Sequence, residues 1–493
     1  MLTPTVPPVA APWRRATLIG AVVAVLAAGC SGSPPRQPGP TVAGSSTGGV
    51  SPSTPGSIPP TADTTAPADA APPVRPPVRL TLRPVRVTVP AALRQAPFNQ
   101  PRDLSVPPGW HVSVFARVPK ARFLAVTPDG GLLVSQPSTG RVLLVRRGAD
   151  GTGQASPFLT GLRQPHDLVI ATLGGRTWLY VAESNQVRRY PYQPGDRRAR
   201  PGQTVVGNLP DAGTPGLRGE YAHALKNIAV GPDHRLYVSI GSSCNVCTAD
   251  TESTPRRAAI YRYALAGGSQ ELFATGLRNA EGLDFIPDTG ALWAVVNSRD
   301  DITYPYHQDG DGDGSDDYGK VLRSYVDDHP PDEFVHVKQN AFYGWPFCNP
   351  NPDRTLGMRD LPFERDVGTN ADGHVDCGTA SRIEQGIQAH SAPLGLTFLE
   401  RTNAPAMIRP GAVVALHGSW DRTNRTGYKV VWFAWDYSAD RPAAQQDLVT
   451  GWVASAGLDE VVWGRPVDLA VDRDGSLLLS DDGSGTIYRL TGR

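Results

Sequence analysis

The sequence predicts an all-β fold, a six-bladed β-propeller with long insertions between its strands, and three observations predict it. Glycine and proline, 52 and 48 of 493 residues, make up about a fifth of the chain, as turn-rich β architectures require. One pattern recurs from Pro101 to Arg493: an alternating apolar strand, a Pro-Asp-Gly-like turn, a second strand ending in small polar residues, then glycine and a third strand. The pattern comes six times at a spacing of roughly sixty residues, the footprint of a radial repeat in which each sheet is buried against its neighbours. Two tandem β-sandwiches are the rival architecture, but those have no reason to share a turn signature.

The clearest copies are LAVTPDGGLLVSQPSTGRVLLV from Leu124 and DLAVDRDGSLLLSDDGSGTIYRL from Asp468. NIAVGPDHRLYVSIGSS from Asn227 and GLDFIPDTGALWAVVNS from Gly282 repeat the first half, and the stretch from Asp167 is a looser copy. GLTFLE from Gly395, with GAVVALHGSW and YKVVWFAW, completes the sixth. The longest excursion, Thr303 to His390, is read as an insertion on a face where ligand sites gather.

Ahead of the repeats lie two segments of different character. Arg14 and Arg15 precede a short apolar run from Ala16 to Ala28, the length of a signal h-region and too short to span a bilayer. It ends in Leu26-Ala27-Ala28-Gly29-Cys30, which resembles a bacterial lipobox with alanine in place of leucine three residues before the cysteine. Residues 1–30 are therefore read as a lipoprotein signal with Cys30 as the acylated residue, the alternative being an ordinary signal peptide cut near Ala28. No other stretch reaches membrane-spanning length, so the expected membrane contact is a lipid anchor alone, at the outer face of the cell membrane. Residues 31–100, built of Pro, Ser, Thr, Gly and Ala, are read as a disordered tether, with Val78 to Val89 a candidate edge strand. Residues 101–493 form the propeller.

Setting Cys30 aside leaves Cys244, Cys247, Cys348 and Cys377, an even number suited to an oxidising compartment. Three pairings are possible, and proximity in sequence favours Cys244–Cys247 and Cys348–Cys377. Haem attachment would need histidine where Thr248 stands, and a four-cysteine zinc site would need a second close pair. The chain carries 47 basic and 47 acidic residues, so its bulk charge gives no polyelectrolyte argument for nucleic acid.

Candidate chemistry sits where strands meet loops. His223 lies just ahead of a blade's first strand, where an imidazole of near-neutral pKa suits a general base. Arg278 and Asn279 stand at the corresponding rim of the next blade, and arginine can grip a carboxylate or stack flat on a ring. The loop ALHGSWDRTNRTGYKVV supplies Arg422, Arg425 and Lys429, and Arg465 occupies the pre-strand position that Arg278 holds. Cations at one point of the repeat are expected to converge on the axis around a small polyanion. In DGDGDGSDD, residues Asp309, Asp311, Asp313 and Asp317 follow the spacing of a calcium loop, with Lys320 where the bidentate glutamate belongs.

These stretches, with FYGWPFC, HSAPLGLTF and GRPVDLAV, resemble the glucose/sorbosone dehydrogenase family of pyrroloquinoline quinone (PQQ)-dependent six-bladed propellers, and most closely its sorbosone-dehydrogenase-like branch. The resemblance runs from about Pro107 to the end. It implies oxidation of an aldose or related sugar by PQQ with calcium, passing electrons to an unspecified acceptor. His223 matches the family's general base; Arg278 and Asn279 match its cofactor-contacting pair; and Gln164, in GLRQPHDL, falls near a pocket glutamine. Lys429 or one of its neighbouring arginines, Arg422 and Arg425, with Arg465, would hold the cofactor's carboxylates. The segment Asn297 to Asp301, including Asp300, sits where the family holds calcium, largely by backbone carbonyls. The chain departs from the glucose enzymes in having Ala222 where an acidic residue precedes the base, and Gly241-Ser242 where they carry Gly-Asp. Glu220 and Asp167 are candidate substitutes. Two other functions are weighed: a calcium-dependent lactonase, which needs carboxylates and an asparagine converging on an axial metal, and a non-catalytic extracellular binding propeller.

Overall fold

In the computed structural model the described residues are 79–287, 289–436, 439–454 and 461–492. Cys30, the export segment and residues 31–78 of the expected tether lie outside them.

Six antiparallel sheets stand around an axis, one for each repeat. Blade 1 opens with Leu124–Val126, blade 2 with Leu168–Leu173 and blade 3 with Ile228–Val230. Blade 4 opens with Ala280–Phe285, blade 5 with Pro393–Phe398 and blade 6 with Pro466–Val471. Each of these innermost strands pairs with the next strand across the predicted turn, as where Thr127 N–H bonds the Gly131 carbonyl (2.7 Å) and Asp472 N–H that of Ser476 (2.8 Å). The ring is closed by a strand the repeat reading missed. His111–Arg117 pairs antiparallel with Thr486–Thr491 and so becomes the outer strand of blade 6, tying the start of the propeller to its end.

Aromatic and branched side chains fill the spaces between blades. Trp293, Phe334, Phe398, Phe433 and Trp435 join blades 4 and 5 in one buried cluster, each contributing on the order of 2–3 kcal/mol by leaving water. At the axis, where innermost strands have a free edge, polar side chains complete the hydrogen bonding. Asp167 of blade 2 accepts the Ile228 N–H of blade 3 (2.9 Å), Asp284 of blade 4 the Phe398 N–H of blade 5 (3.0 Å), and Asp468 of blade 6 the Leu124 N–H of blade 1 (2.9 Å). Three aspartates thus clasp alternate blade junctions, Asp167 and Asp468 at the start of the next inner strand and Asp284 at its end.

Residues 79–100, read from the sequence as part of the tether, are ordered. Arg83–Arg86 pairs with Asp103–Val106, within the stretch read as a candidate edge strand, while Val87 and Phe98 are buried. Phe98 meets Trp463 and Tyr488 of the blade 6 side edge-on, and Leu80, Val85, Val89 and Leu93 pack against the same cluster, so the apolar residues of this proline-rich run dock it. The excursion from Thr303 to His390 also differs from the expectation of one insertion. It contains the third and fourth strands of blade 4, Asp332–Val337 and Ile383–Ile387, whose acidic residues mask their alternation. Both expected disulfides are present, Cys244–Cys247 and Cys348–Cys377, with Cα atoms 5.4 and 5.7 Å apart. Among the described residues no helix is long and apolar enough to cross a membrane.

Burial raises the Asp284 and Asp468 carboxyls to about 7 and pushes Asp167 upward as well. The folded state therefore holds protons that the unfolded chain releases near pH 4, so this contribution to stability is lost as pH rises toward and through 7. The melting temperature is expected to fall between pH 5 and 8, and the double variant D284N/D468N, which keeps one acceptor oxygen at each position and cannot ionise, to flatten that slope in calorimetry. An unchanged slope would remove these clasps as its cause.

Candidate active site

A cavity of about 140 Å³ opens among loops that precede the inner strands of blades 3, 4 and 5, and His223, Arg278, Asn279, Asp300, Asp332 and His390 line it. The structure thus brings together His223, Arg278, Asn279 and Asp300 from the sequence-derived set.

His223 is oriented without a carboxylate. Its Nδ1 lies 3.0 Å from the Ser242 carbonyl and 2.9 Å from Ser242 Oγ. The Ser242 hydroxyl donates its single proton to the Cys244 carbonyl (2.8 Å), so toward the imidazole Oγ can only accept. Both partners demand a proton on Nδ1, which leaves the lone pair of the neutral ring on Nε2. Nε2 has no hydrogen-bond partner among the described residues. Burial, with the Arg278 charge second, lowers the His223 pKa to about 4. Neither suggested substitute for the missing acid serves it: Glu220 is exposed, and Asp167 is bonded to the backbone at Ile228 and Leu168. Gly241 makes the arrangement possible, since a Cβ there would stand 2.6 Å from His223 Cβ and 2.8 Å from Asn279 Oδ1.

Arg278 is buried with its entire N–H edge engaged. Nε donates to the Asn245 carbonyl (3.2 Å), Nη1 to the Ser298 (2.8 Å) and Asn297 (3.4 Å) carbonyls, and Nη2 to Asn245 Oδ1 (2.9 Å) and Asp300 Oδ2 (2.8 Å). With all five donors committed, the guanidinium presents its flat face to the cavity. Asn279 donates to Glu281 Oε1 (3.1 Å), whose other oxygen meets His166 Nε2 (3.0 Å) at the start of blade 2, two blades away. Burial is the largest influence on Glu281 and would raise it, but the bond and charge of His166, with Arg122 and Asn279, together outweigh it and hold the pKa near 2. Beneath lies Lys226, wholly buried, donating to the Ala224 carbonyl and lowered by desolvation to about 7.

Sequence reasoning missed the opposite wall. His390 Nε2 meets the Val326 carbonyl (2.7 Å) and so carries a proton, while Nδ1 faces Asp300 Oδ1 at 3.8 Å. Asp332 accepts the Ser298 and Ala392 N–H groups, and burial raises it to about 6. Trp420 stands at the cavity with its ring 72% exposed, between Ser419 and Asp421, each only 2% exposed. Asp421 is anchored by Asp301 N–H (2.9 Å) and Arg323 (2.7 Å), so an exposed ring is mounted on a fixed backbone. Trp345 stays buried and donates its indole N–H to the Asn245 carbonyl (2.9 Å).

The remaining cations are engaged elsewhere. Arg422 bonds the Asp327 carbonyl and Asp328, Lys429 pairs with Asp447 (2.8 Å) on its own sheet, and Arg465 donates to the His417 and Gly418 carbonyls. Gln164 is exposed on a left-handed backbone (φ 48°). None of these four lines the cavity. Arg465 and Arg278 precede their strands but are not in one register: Arg465 stands one residue before Pro466–Val471, Arg278 two before Ala280–Phe285.

Among the described residues, two groups place ligand atoms within 4.8 Å of one another: Asp309, Asp311 and Asp317, and Asp300, His390 and Asp421. The first is all oxygen, which suits a hard cation; Asp313 stands outside it and accepts the Ser315 N–H (2.7 Å). In the second, Asp300 already pairs with Arg278 and Asp421 with Arg323. The carbonyls of Asn297, Ser298 and Asp300 serve Arg278 and Asn245, so a cation bound there competes with a guanidinium.

Fold and cavity together define a six-bladed propeller that carries a polar ligand site in the loops around its axis. The chain belongs to the TrAA12-like family, whose model matches residues 104–493. Over 259 residues it is 28% identical to an uncharacterized protein of Borreliella burgdorferi, 52% of this chain and 57% of that protein, so under two thirds of that relative is spanned. Over 418 residues it is 24% identical to a pyrroloquinoline quinone-dependent sugar dehydrogenase of Hypocrea jecorina, 78% of this chain and 88% of the relative. The holo pyranose dehydrogenase PQQ domain of Coprinopsis cinerea matches with a TM-score of 0.63 at 20% identity, covering 79% of this chain and 97% of that one. The calcium structure of a Trichoderma reesei family AA12 enzyme matches with a TM-score of 0.63 at 23% identity, covering 79% and 96%. These solved structures share the propeller fold.

His223 is expected to titrate near pH 4 in the free protein, followed by histidine NMR, and Arg278→Ala to raise that midpoint by removing the nearest positive charge. A midpoint near the ordinary 6.5 would contradict the burial and charge assigned to it.

Proposed function

We propose that the protein is a PQQ-dependent dehydrogenase that oxidises a hydroxyl of an aldose or related sugar in this cavity. One observation carries the reading: an imidazole whose free lone pair is on Nε2 stands in one cavity with a guanidinium that has only its flat face to offer. That face suits a planar quinone, and the Hypocrea and Coprinopsis proteins, by their names, use PQQ. Bound PQQ supplies a quinone that accepts hydride from the sugar carbon. His223 Nε2 takes the hydroxyl proton, and the resulting imidazolium keeps its Nδ1–H on the Ser242 carbonyl. Because the Arg278 charge helps lower His223, an anionic ligand on the guanidinium face brings the base back toward its ordinary range. Asn279 is held by Glu281 to address the cofactor edge. Trp420 offers its exposed ring to the apolar face of a sugar, with Asp332 and His390 within the same cavity for its hydroxyls.

Calcium is proposed at Asp309, Asp311 and Asp317, where it orders the insertion; the proton step does not depend on it. The two disulfides support an exported protein in an oxidising compartment, with Cys30 proposed as its lipid anchor. A calcium-dependent lactonase is the second reading, favoured by Asn279, Asn297, Asp300 and Asp332 meeting in the cavity, and metal-dependent lactone hydrolysis tests it.

PQQ titrated into the protein, followed by absorbance, is expected to bind stoichiometrically, and Arg278→Ala to weaken it at least tenfold. His223→Ala should lower kcat on the sugar by about 10²–10⁴ with the cofactor still bound. Trp420→Ala should raise the sugar KM roughly tenfold with little change in kcat, the signature of lost binding rather than lost chemistry. Absence of PQQ binding in folded protein would overturn the dehydrogenase reading.

A further inference from the structure

The most densely bonded point of the site is the turn that the Cys244–Cys247 disulfide closes. Asn245 stands inside it, and every polar atom of its side chain and its carbonyl is engaged with the cavity wall. Its Oδ1 accepts from Arg278 Nη2 (2.9 Å) and from the Asp300 N–H (2.9 Å), and its Nδ2 donates to the Asp300 carbonyl (2.8 Å). Its own carbonyl accepts from Arg278 Nε (3.2 Å) and from the Trp345 indole (2.9 Å). Next to it, the Cys244 carbonyl takes the Ser242 hydroxyl proton that settles how His223 is protonated. The far end is anchored through Asp250, fully buried, which accepts from Ser243 N–H (2.6 Å), Ser243 Oγ (2.7 Å) and Arg257 (2.6 Å), and whose N–H bonds the Cys247 carbonyl (3.1 Å).

Resting on the cofactor reading above, we propose that Asn245 is the positioning residue of this site, and that the disulfide holds it so that Arg278, Asp300 and Trp345 are fixed as one unit. A buried guanidinium can adopt many orientations, and only one lays its face along the cavity. Two of its five donors end on Asn245, and the same amide closes a two-way bond with Asp300, whose carboxylate takes a third. The side chain therefore sets both partners of the Arg278–Asp300 pair at once. An unconstrained asparagine would also lose rotamer and backbone freedom on making these bonds, and a covalent closure four residues long removes much of that cost beforehand. Small displacements in such a wall have large effects, since angstrom shifts of positioned groups lower rates by up to about 10²-fold.

The test uses the full chain and three variants: N245A, N245D and C244S/C247S. N245A is expected to weaken PQQ at least tenfold and to lower kcat, while the sugar KM measured at saturating cofactor stays within about twofold. N245D keeps acceptors for Arg278 Nη2 and the Asp300 N–H, and should recover most of the binding. C244S/C247S retains Asn245 but frees its turn, and should lose binding by an intermediate factor. In cofactor-free protein the Trp345 indole N–H resonance should shift in N245A and in C244S/C247S. Wild-type PQQ affinity in N245A, or an unmoved indole signal, overturns the proposal. If the wild-type chain binds no PQQ, the cofactor reading fails while the indole resonance still decides whether the turn positions the wall. If N245A does not fold, N245D and the double serine variant decide.

Discussion

Six innermost strands, each with a free hydrogen-bonding edge turned toward a narrow axis, set the terms for the rest of this molecule. Backbone groups buried there without partners would cost about 1–3 kcal/mol apiece. Asp167, Asp284 and Asp468 meet this need at alternate junctions by accepting an N–H of the next blade. The remedy is itself expensive, as the upward shift of all three carboxyls records, but it locks neighbouring blades in register. It also makes the axis polar. Residues just ahead of the inner strands, His223, Arg278 and Asn279 among them, are delivered to the rim of that polar channel by the same register.

Within the site, the missing acidic neighbour of His223 turns out to be a change of means. A carboxylate would orient the imidazole and raise its basicity together. The Ser242 carbonyl orients it and contributes little charge, so burial and Arg278 prevail and the ring stays neutral across the physiological range. Proton-accepting capacity is then always present, and its strength depends on what occupies the cavity. Glu281 shows the other solution: ionised in spite of burial because His166 and Asn279 bond both of its oxygens.

The features legible in the sequence were those whose causes are local or periodic. Alternation and turn residues gave six blades, cysteine spacing gave both disulfides, and strand-edge motifs gave His223, Arg278 and Asn279. The closing strand His111–Arg117 escaped because its partner lies at the other end of the chain. Asp332–Val337 escaped because Asp332 and Glu333, both buried, break the apolar pattern of the strand. Arg422, Lys429 and Arg465 show the limit for cations. Sequence places the backbone, but a long side chain goes to the nearest acceptor, and Asp328, Asp447 and the Gly418 carbonyl were closer than the axis. Trp420, His390 and Asp300 come from three separate loops, and their convergence is a property of the ring alone.

The bonding of Arg278 connects these strands of argument. Burying a guanidinium against a single carboxylate would produce a neutral pair with little to offer a ligand. Here one carboxylate and four neutral oxygens share its five donors, so the group is stabilised largely by dipoles. Dipoles satisfy four of the five bonds without adding negative charge, so a single carboxylate offsets the guanidinium and its face stays the cationic part of the cavity. Such a surface discriminates by shape and charge together: it favours a planar, electron-rich or anionic ring lying parallel to it and gives little to a tetrahedral anion seeking donors at its edge. Burial, helped by the same guanidinium, keeps the neighbouring imidazole neutral until a ligand arrives. Ligand selection and readiness of the base thus follow from one choice, which is to hold an arginine with carbonyls.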